Sequence, residues 1–159
     1  MKITIIAVGK IKEKFYKDAI AEYEKRLSKY CKLEIKEVPD EKTPDHASDV
    51  VNQQILEKEG ERIRNFIPKD SYVIALAIEG KKYDSVGFSK MIQDAGIRGI
   101  SSITFIIGGS LGIMEEIKQS ASAKISFSDM TFPHQLMRVI LLEQIYRGFR
   151  IIAGEPYHK

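Results

Sequence analysis

One cysteine, Cys31, stands in 159 residues. No intramolecular disulfide framework can hold this chain, so a buried core must. No apolar run approaches the ~18 residues that a helix needs to cross a bilayer. The opening Met1-Lys2-Ile3-Thr4-Ile5-Ile6-Ala7-Val8 has one early lysine and a short apolar run. It is too short for a signal peptide and reads as a buried first strand. A lone cysteine without a secretion signal points to the cytoplasm. Three histidines, His46, His134 and His158, lie far apart. With one cysteine they give no zinc spacing, and no metal is expected. The phosphate-binding pattern G-x-x-x-x-G-K-S/T is missing, which argues against a P-loop nucleotide hydrolase. Gly108-Gly109-Ser110-Leu111-Gly112 does not have the G-x-G-x-x-G spacing of a dinucleotide fingerprint, and no G-x-S-x-G nucleophile elbow occurs. Internal repeats and low-complexity tracts are also lacking.

What is present is the composition of a soluble globular domain, 43% hydrophobic and 30% charged, on a length that suits one domain, residues 1–159. Net charge is +3. Its distribution is uneven. Residues 1–39 carry ten Lys/Arg against six Asp/Glu, and residues 40–62 carry three against seven. A basic region beside an acidic one permits nucleic-acid contact without demanding it.

Strand and helix patterns alternate along the chain. Residues 2–8 are apolar and β-branched, a strand. Phe15, Ala19, Ile20, Tyr23 and Leu27 recur at helical spacing within 13–29. Residues 32–38 alternate with period two, as a half-exposed strand does. A polar loop with two prolines follows. Ser48 then caps a charged helix to about Asn65, and Pro68 breaks the pattern. Residues 72–78 and 103–107 read as buried strands, 84–98 as a helix, 113–119 as a short helix and 123–127 as a last strand. Pro133 opens a long helix to about Ala153, and Gly154 to Lys159 forms a short tail. This alternation predicts an α/β fold, a mostly parallel sheet with helices on both faces. Such sheets bind ligands at the carboxyl ends of their strands, so the loops after 72–78, 103–107 and 123–127 are the places for a site.

Gly108-Gly109 closes a buried strand ahead of a short helix. Two readings stand: close approach of the backbone to a ligand, or a tight turn that needs positive φ. The segment Ser126 to Gln135 carries Phe127, Phe132 and Met130 among hydroxyls. It is either a well-capped loop or a place to hold a flat base with its polar edge satisfied. On the last helix, at ~100° per residue, Val139, Leu141, Leu142, Ile145, Tyr146, Phe149 and Ile152 form one apolar arc. Glu143, Arg147 and Arg150 lie opposite. Arg138 falls inside the apolar arc, where a guanidinium must find an anion or carbonyls in a functional or interfacial role, or else snorkel from the helix start to water. Ile140 and Ile151 interrupt the polar side, which predicts a second partner for this helix, a subunit of the same chain.

The stretches Phe127-Ser128-Asp129-Met130-Thr131-Phe132-Pro133-His134-Gln135, Arg138-Val139-Ile140-Leu141-Leu142-Glu143-Gln144-Ile145-Tyr146-Arg147 and Gly154-Glu155-Pro156-Tyr157-His158-Lys159 resemble the ribosomal RNA large-subunit methyltransferase H family. The opening Ile3 to Lys10 and Ile106-Ile107-Gly108-Gly109-Ser110 are similar to it as well, so the resemblance covers the whole chain. It implies the SPOUT α/β knot, with a C-terminal trefoil knot, an exception to the rule that chains do not thread. It also implies a homodimer that transfers a methyl group from S-adenosylmethionine to N3 of a pseudouridine in large-subunit ribosomal RNA, on the ribosome or its RNA. The cofactor would lie against backbone at Leu76, Gly108 and the run Phe127, Ser128, Asp129, Met130, Thr131, Phe132. Asp129 stands where the family carries other polar residues, so the resemblance assigns that loop rather than the Asp129 side chain. The target nitrogen must lose a proton, which calls for a nearby base or a cation that stabilises the anion. The candidates are His134, Arg138, Tyr157 and His158, with His158 or His134 as the proton acceptor and Arg138 for positioning. Two rivals are a non-enzymatic ribosome-binding protein and a small nucleotide-binding α/β module. Titration with S-adenosylmethionine separates all three.

Overall fold

The computed structural model describes all residues from Met1 to Lys159. Strands and helices alternate throughout: β1 (Lys2–Val8), α1 (Lys14–Leu27), β2 (Lys32–Val38), α2 (Asp49–Arg64), β3 (Tyr72–Lys82), α3 (Ser85–Ile97), β4 (Ser102–Ile107), α4 (Glu115–Ser120), β5 (Ala123–Ser126) and α5 (His134–Ile152). The five strands make one sheet in the order β2-β1-β4-β3-β5, and every pairing is parallel. All carboxyl ends therefore share one rim of the sheet.

Strand alternation assigns the two faces. Ile3, Ile5 and Ala7 of β1, with Phe105 and Ile107 of β4, face a cluster completed by Ile20, Phe88, Ile92, Leu141, Leu142 and Ile145 from α1, α3 and α5. Ile6, Val8 and Ile106 face the other way, onto Ile63 of α2 and Met114 and Ile117 around α4. Each of these isoleucines, fully buried, contributes about 1.5–3 kcal/mol of transfer free energy. β1 and β4 are covered on both faces, so they read as continuous apolar runs rather than alternating ones. β2 is an edge strand, and its Lys/Glu alternation discourages pairing with another chain. Cys31 lies in the core, where burial pushes its thiol up to about 11 and leaves it inert.

Local chemistry explains the helix starts. Ser48 Oγ accepts from the Val51 amide at 3.3 Å, and Asp84 Oδ1 accepts from the Gly87 amide at 2.7 Å. Pro133 sits just before α5, where a missing N–H costs nothing.

The boundary that differs most from its expectation is the end of β3. Both Leu76 and Lys81 pair with Ile125 of β5, so residues 77–80 bulge out of the ladder and the strand resumes to Lys82. The apolar run that marks this strand stops at Ile78, and a four-residue bulge has no hydropathy signature. Gly80 is required here: a Cβ on it would lie 2.5 Å from the Ile125 carbonyl carbon. From the β5 edge, the chain crosses the carboxyl rim of β3 and β4 to begin α5 beside Gly9, at the end of β1. α5 then packs between α1 and α3.

Candidate active site

The rim of carboxyl ends encloses a cavity of about 630 Å³, in the range of small-molecule sites. Three loops build it. β3 supplies Leu76, the last residue before its bulge, and Ala77 and Ile78 of the bulge itself. The turn after β4 supplies Gly108, Gly109, Ser110 and Gly112. The crossing segment supplies Phe127, Ser128, Met130, Thr131 and Phe132, and α5 adds His134 and Met137. Within the crossing segment, Ser128 Oγ accepts from the Met130 amide at 3.0 Å, and Ser126 Oγ donates to the Ser128 carbonyl at 3.1 Å. Amides of Phe127, Thr131 and Phe132 donate to nothing within the chain, which leaves them available to a ligand's polar edge.

Gly108 resolves its two readings in an unexpected way. Its φ is not positive. A Cβ there would lie 2.4 Å from the carbonyl of Gly112, inside the turn itself. Gly112, with φ +86°, supplies the left-handed residue, and its amide closes the turn onto the Gly109 carbonyl at 3.0 Å. Gly108→Ala therefore deforms this wall of the cavity. A tenfold or greater loss of cofactor affinity is expected, on the scale of about one lost hydrogen bond. Calorimetric titration checks this, and unchanged affinity in the folded variant would count against the turn as a binding wall.

His134 covers Gly9, and a Cβ on that glycine would sit 2.8 Å from imidazole Cε1. Gly9 has φ +95°, so the position suits glycine twice over. Nδ1 of His134 is buried without a partner. Burial and then the charge of Arg138 hold this imidazole below its ordinary 6.5. It is therefore neutral at pH 7 and able to accept a proton. If it is the base, kcat/KM should stay flat from pH 8 down to 6.5 and fall only at lower pH. A profile that already falls between pH 8 and 7 would exclude His134 from that role. The same depression has a stability sign: below pH 6.5 the unfolded chain takes up a proton that the folded chain resists, so stability declines there.

Arg138 lies one turn deeper in α5 and is 1% exposed. Its guanidinium donates to Glu37 Oε2 at 2.6 Å and to the Gly9 carbonyl at 3.2 Å. Glu37 Oε2 also accepts from the Ile11 amide at 3.0 Å. The arginine placed by helical periodicity in an apolar arc has thus found an anion and a carbonyl. It stands behind His134 and does not line the cavity. Asp129 turns outward and pairs with Lys82 at 2.6 Å.

The tail does not lie over the cavity of its own chain. It folds back along α5. Tyr157 Oη donates to Glu143 Oε1 at 3.2 Å, its ring stacks 4.7 Å from the Arg147 guanidinium, and His158 Nδ1 is 3.3 Å from Arg147 Nη1. Arg150 and Tyr30 clasp Glu155 below it. Glu143 is nine residues from His134, about 14 Å of helical rise. The structure therefore brings together Leu76, Gly108, the 127–132 segment apart from the outward-facing Asp129, and His134, with Arg138 behind them. It holds Tyr157 and His158 apart. Sequence reasoning missed Ile78, Met137, Gly9 and Glu37. The last two reach the site through the parallel register of Val8 with Val38, which no local pattern announces.

A parallel sheet with a backbone-lined cavity across its carboxyl rim defines an α/β domain suited to a flat, partly polar small molecule. The family described as "Predicted SPOUT methyltransferase" matches residues 1–158. Over the full length of both chains, the sequence is 63% identical to ribosomal RNA large subunit methyltransferase H of Bifidobacterium adolescentis and 58% identical to that of Streptococcus gordonii. A solved structure, of a probable methylase family protein from Haemophilus influenzae Rd KW20, is similar with a TM-score of 0.54 over 99% of this chain and 70% of that one, at 10% identity. That likeness speaks for the fold alone. The chain belongs to the ribosomal RNA large subunit methyltransferase H family, within the SPOUT methyltransferases.

Proposed function

We propose that this methyltransferase binds S-adenosylmethionine in the cavity and methylates N3 of a pseudouridine in large-subunit ribosomal RNA, working in the cytoplasm as a homodimer. The observation that carries the reading is the convergence of three backbone segments, at Leu76, Gly108 and Phe127 to Phe132, on one cavity in a chain of this family. A mixed wall of apolar side chains and unpaired amides fits a cofactor with a flat base and a polar edge. Bound there, S-adenosylmethionine would supply an electrophilic methyl group on a sulfonium.

The protein's own tasks are then to align the target nitrogen, exclude water and remove a proton. His134 is the group on the cavity wall able to accept that proton, while Arg138 holds Gly9 and Glu37 and so fixes the floor under the imidazole. Tyr157 and His158 act in this reading on the partner's cavity. An isologous contact along α5, with the two helices antiparallel, sets the end of one helix near the start of the other. The half-buried Ile140 and Ile151 fit such a contact. The proposal includes threading of the C-terminal segment through a loop at the rim, and the crossing from β5 to the end of β1 is the path that such a knot would use. Equilibrium titration tests the first step. One S-adenosylmethionine per chain is expected, and preference for a flavin or a nucleoside triphosphate would overturn the assignment.

A further inference from the structure

The segment Lys10 to Lys17, outside the cavity, carries four lysines against Glu13 alone. All four lysines are exposed. Lys10, Lys12 and Lys17 make no salt bridge, and Lys14 meets only Asp18, one turn along in an exposed pair of little worth. Among them Phe15 is 65% exposed, its ring 4.4 Å from that of Tyr16. A large aromatic left mostly in water in the first turn of a helix, interleaved with cations of which three are unpaired, adds little to the core of this chain. The segment is also fastened to the active site. The Lys12 amide donates to Gln135 Oε1 at 3.0 Å, beside His134, and the Ile11 amide donates to the carboxylate that holds Arg138. Whatever binds here is in register with the cavity mouth.

Resting on the RNA-methyltransferase reading, we propose that Lys10–Lys17 is the platform for the RNA strand flanking the target base. The lysines neutralise its phosphates, and Phe15 stacks on a neighbouring base. The charge argues for a polyanion rather than a second copy of this chain: an isologous contact through this patch would set four lysines against four. Aromatic faces beside cations at short spacing are what single-stranded nucleic acid engages, by stacking and counterion release.

The test uses the full-length protein and ribosomes from cells lacking the gene. KM for ribosomes is measured across a KCl series, with S-adenosylmethionine affinity and sedimentation mass determined in parallel. Lys12→Ala/Lys17→Ala is expected to raise KM at least ~10-fold. It should also reduce the slope of log KM against log salt by about 1.5, roughly 0.7–0.9 per lost phosphate contact. Phe15→Ala should raise KM about tenfold without changing the slope. Cofactor affinity and mass should match wild type in both. Unchanged KM and slope beside an active wild type would overturn this inference alone. Loss of the dimer mass would overturn it too, by making the patch a subunit contact. A wild type that binds cofactor but methylates no ribosome would overturn the functional reading itself, and this inference with it.

Discussion

Removing Tyr157, His158 and Lys159 is expected to lower methyl transfer at least ~100-fold, the scale of losing an acid–base group, while S-adenosylmethionine binding stays nearly intact. The cavity contains none of these residues, so cofactor affinity has no reason to fall. Yet the tail is not a frayed end. Tyr157 packs at 5.0 Å on the Tyr146 ring and bonds Glu143, and Arg150 Nη2 donates to the Pro156 carbonyl at 3.1 Å. Those contacts order a phenol and an imidazole on the outer surface of α5, some 14 Å short of His134 by helical rise. A tail so placed acts on a partner's site, or on its own only after leaving α5, or not at all. Mixed dimers decide between these. A tail-deleted subunit paired with a His134→Ala subunit contains one intact composite site. If both variants are inactive alone, equal mixing with subunit exchange should restore about a quarter of wild-type activity, because half the dimers carry one of two sites. No restoration after proven exchange would return the tail to its own chain. Full activity of the truncated enzyme would leave proton transfer to His134 and its neighbours.

The second large effect concerns stability and is asymmetric. Glu37→Ala strips the anion from Arg138, whose side chain is 2% exposed, while Glu37 itself is 38% exposed. A stranded buried guanidinium costs about 3 kcal/mol, the low end of the usual range for a broken buried pair, because the Gly9 carbonyl remains. For a chain of this length that lowers Tm by about 6–12 °C. Arg138→Met should cost much less, about 1 kcal/mol, since the methionine fills the space and the freed carboxylate can turn to water. Thermal unfolding of the two variants checks the order, and a larger loss in Arg138→Met would contradict the pairing described. The pH dependence has a definite sign. Burial raises the Glu37 carboxyl, but the Arg138 bond, the Ile11 amide and the charges of Arg138 and Lys10 outweigh it, and the group stays below its ordinary 4.5. Its contribution is therefore complete above pH 4.5 and is lost below it, as the pH falls through the lower folded-state value. Glu37→Ala should lack this portion of the acid sensitivity.

Much of this molecule was legible from period and spacing. The order of ten elements, the parallel sheet and a rim of carboxyl ends that holds the cavity follow from alternation of period-two or apolar runs with helical ones. Arg138 is the sharpest case, because one charge in an apolar arc called for an anion or carbonyls unless it snorkelled to water, and it meets one of each. Its partner was not legible. Glu37 reads as one more exposed residue of an alternating edge strand, and only the β1–β2 register sets it beneath α5. The β3 bulge was hidden for a related reason: Ile78 lines the cavity through pairing of two separate residues with Ile125, a tertiary fact. The course of the tail was not legible. Gly154 and Pro156 restrict its path, but the anchors are Arg147 and Arg150 on the polar side of α5, and they draw it along the helix rather than over the cavity. The resemblance to a methyltransferase family added the cofactor and the RNA, which neither periodicity nor charge could name.

The central claim is methyl transfer to one base of large-subunit RNA, and one measurement meets it directly. Purified protein is incubated with methyl-labelled S-adenosylmethionine and ribosomes from cells lacking the gene, and the RNA is digested to nucleosides. The account predicts label in a single large-subunit nucleoside, a pseudouridine methylated at N3, and in nothing else. Label in another nucleoside, label spread over many positions, or none beside intact cofactor binding would contradict it.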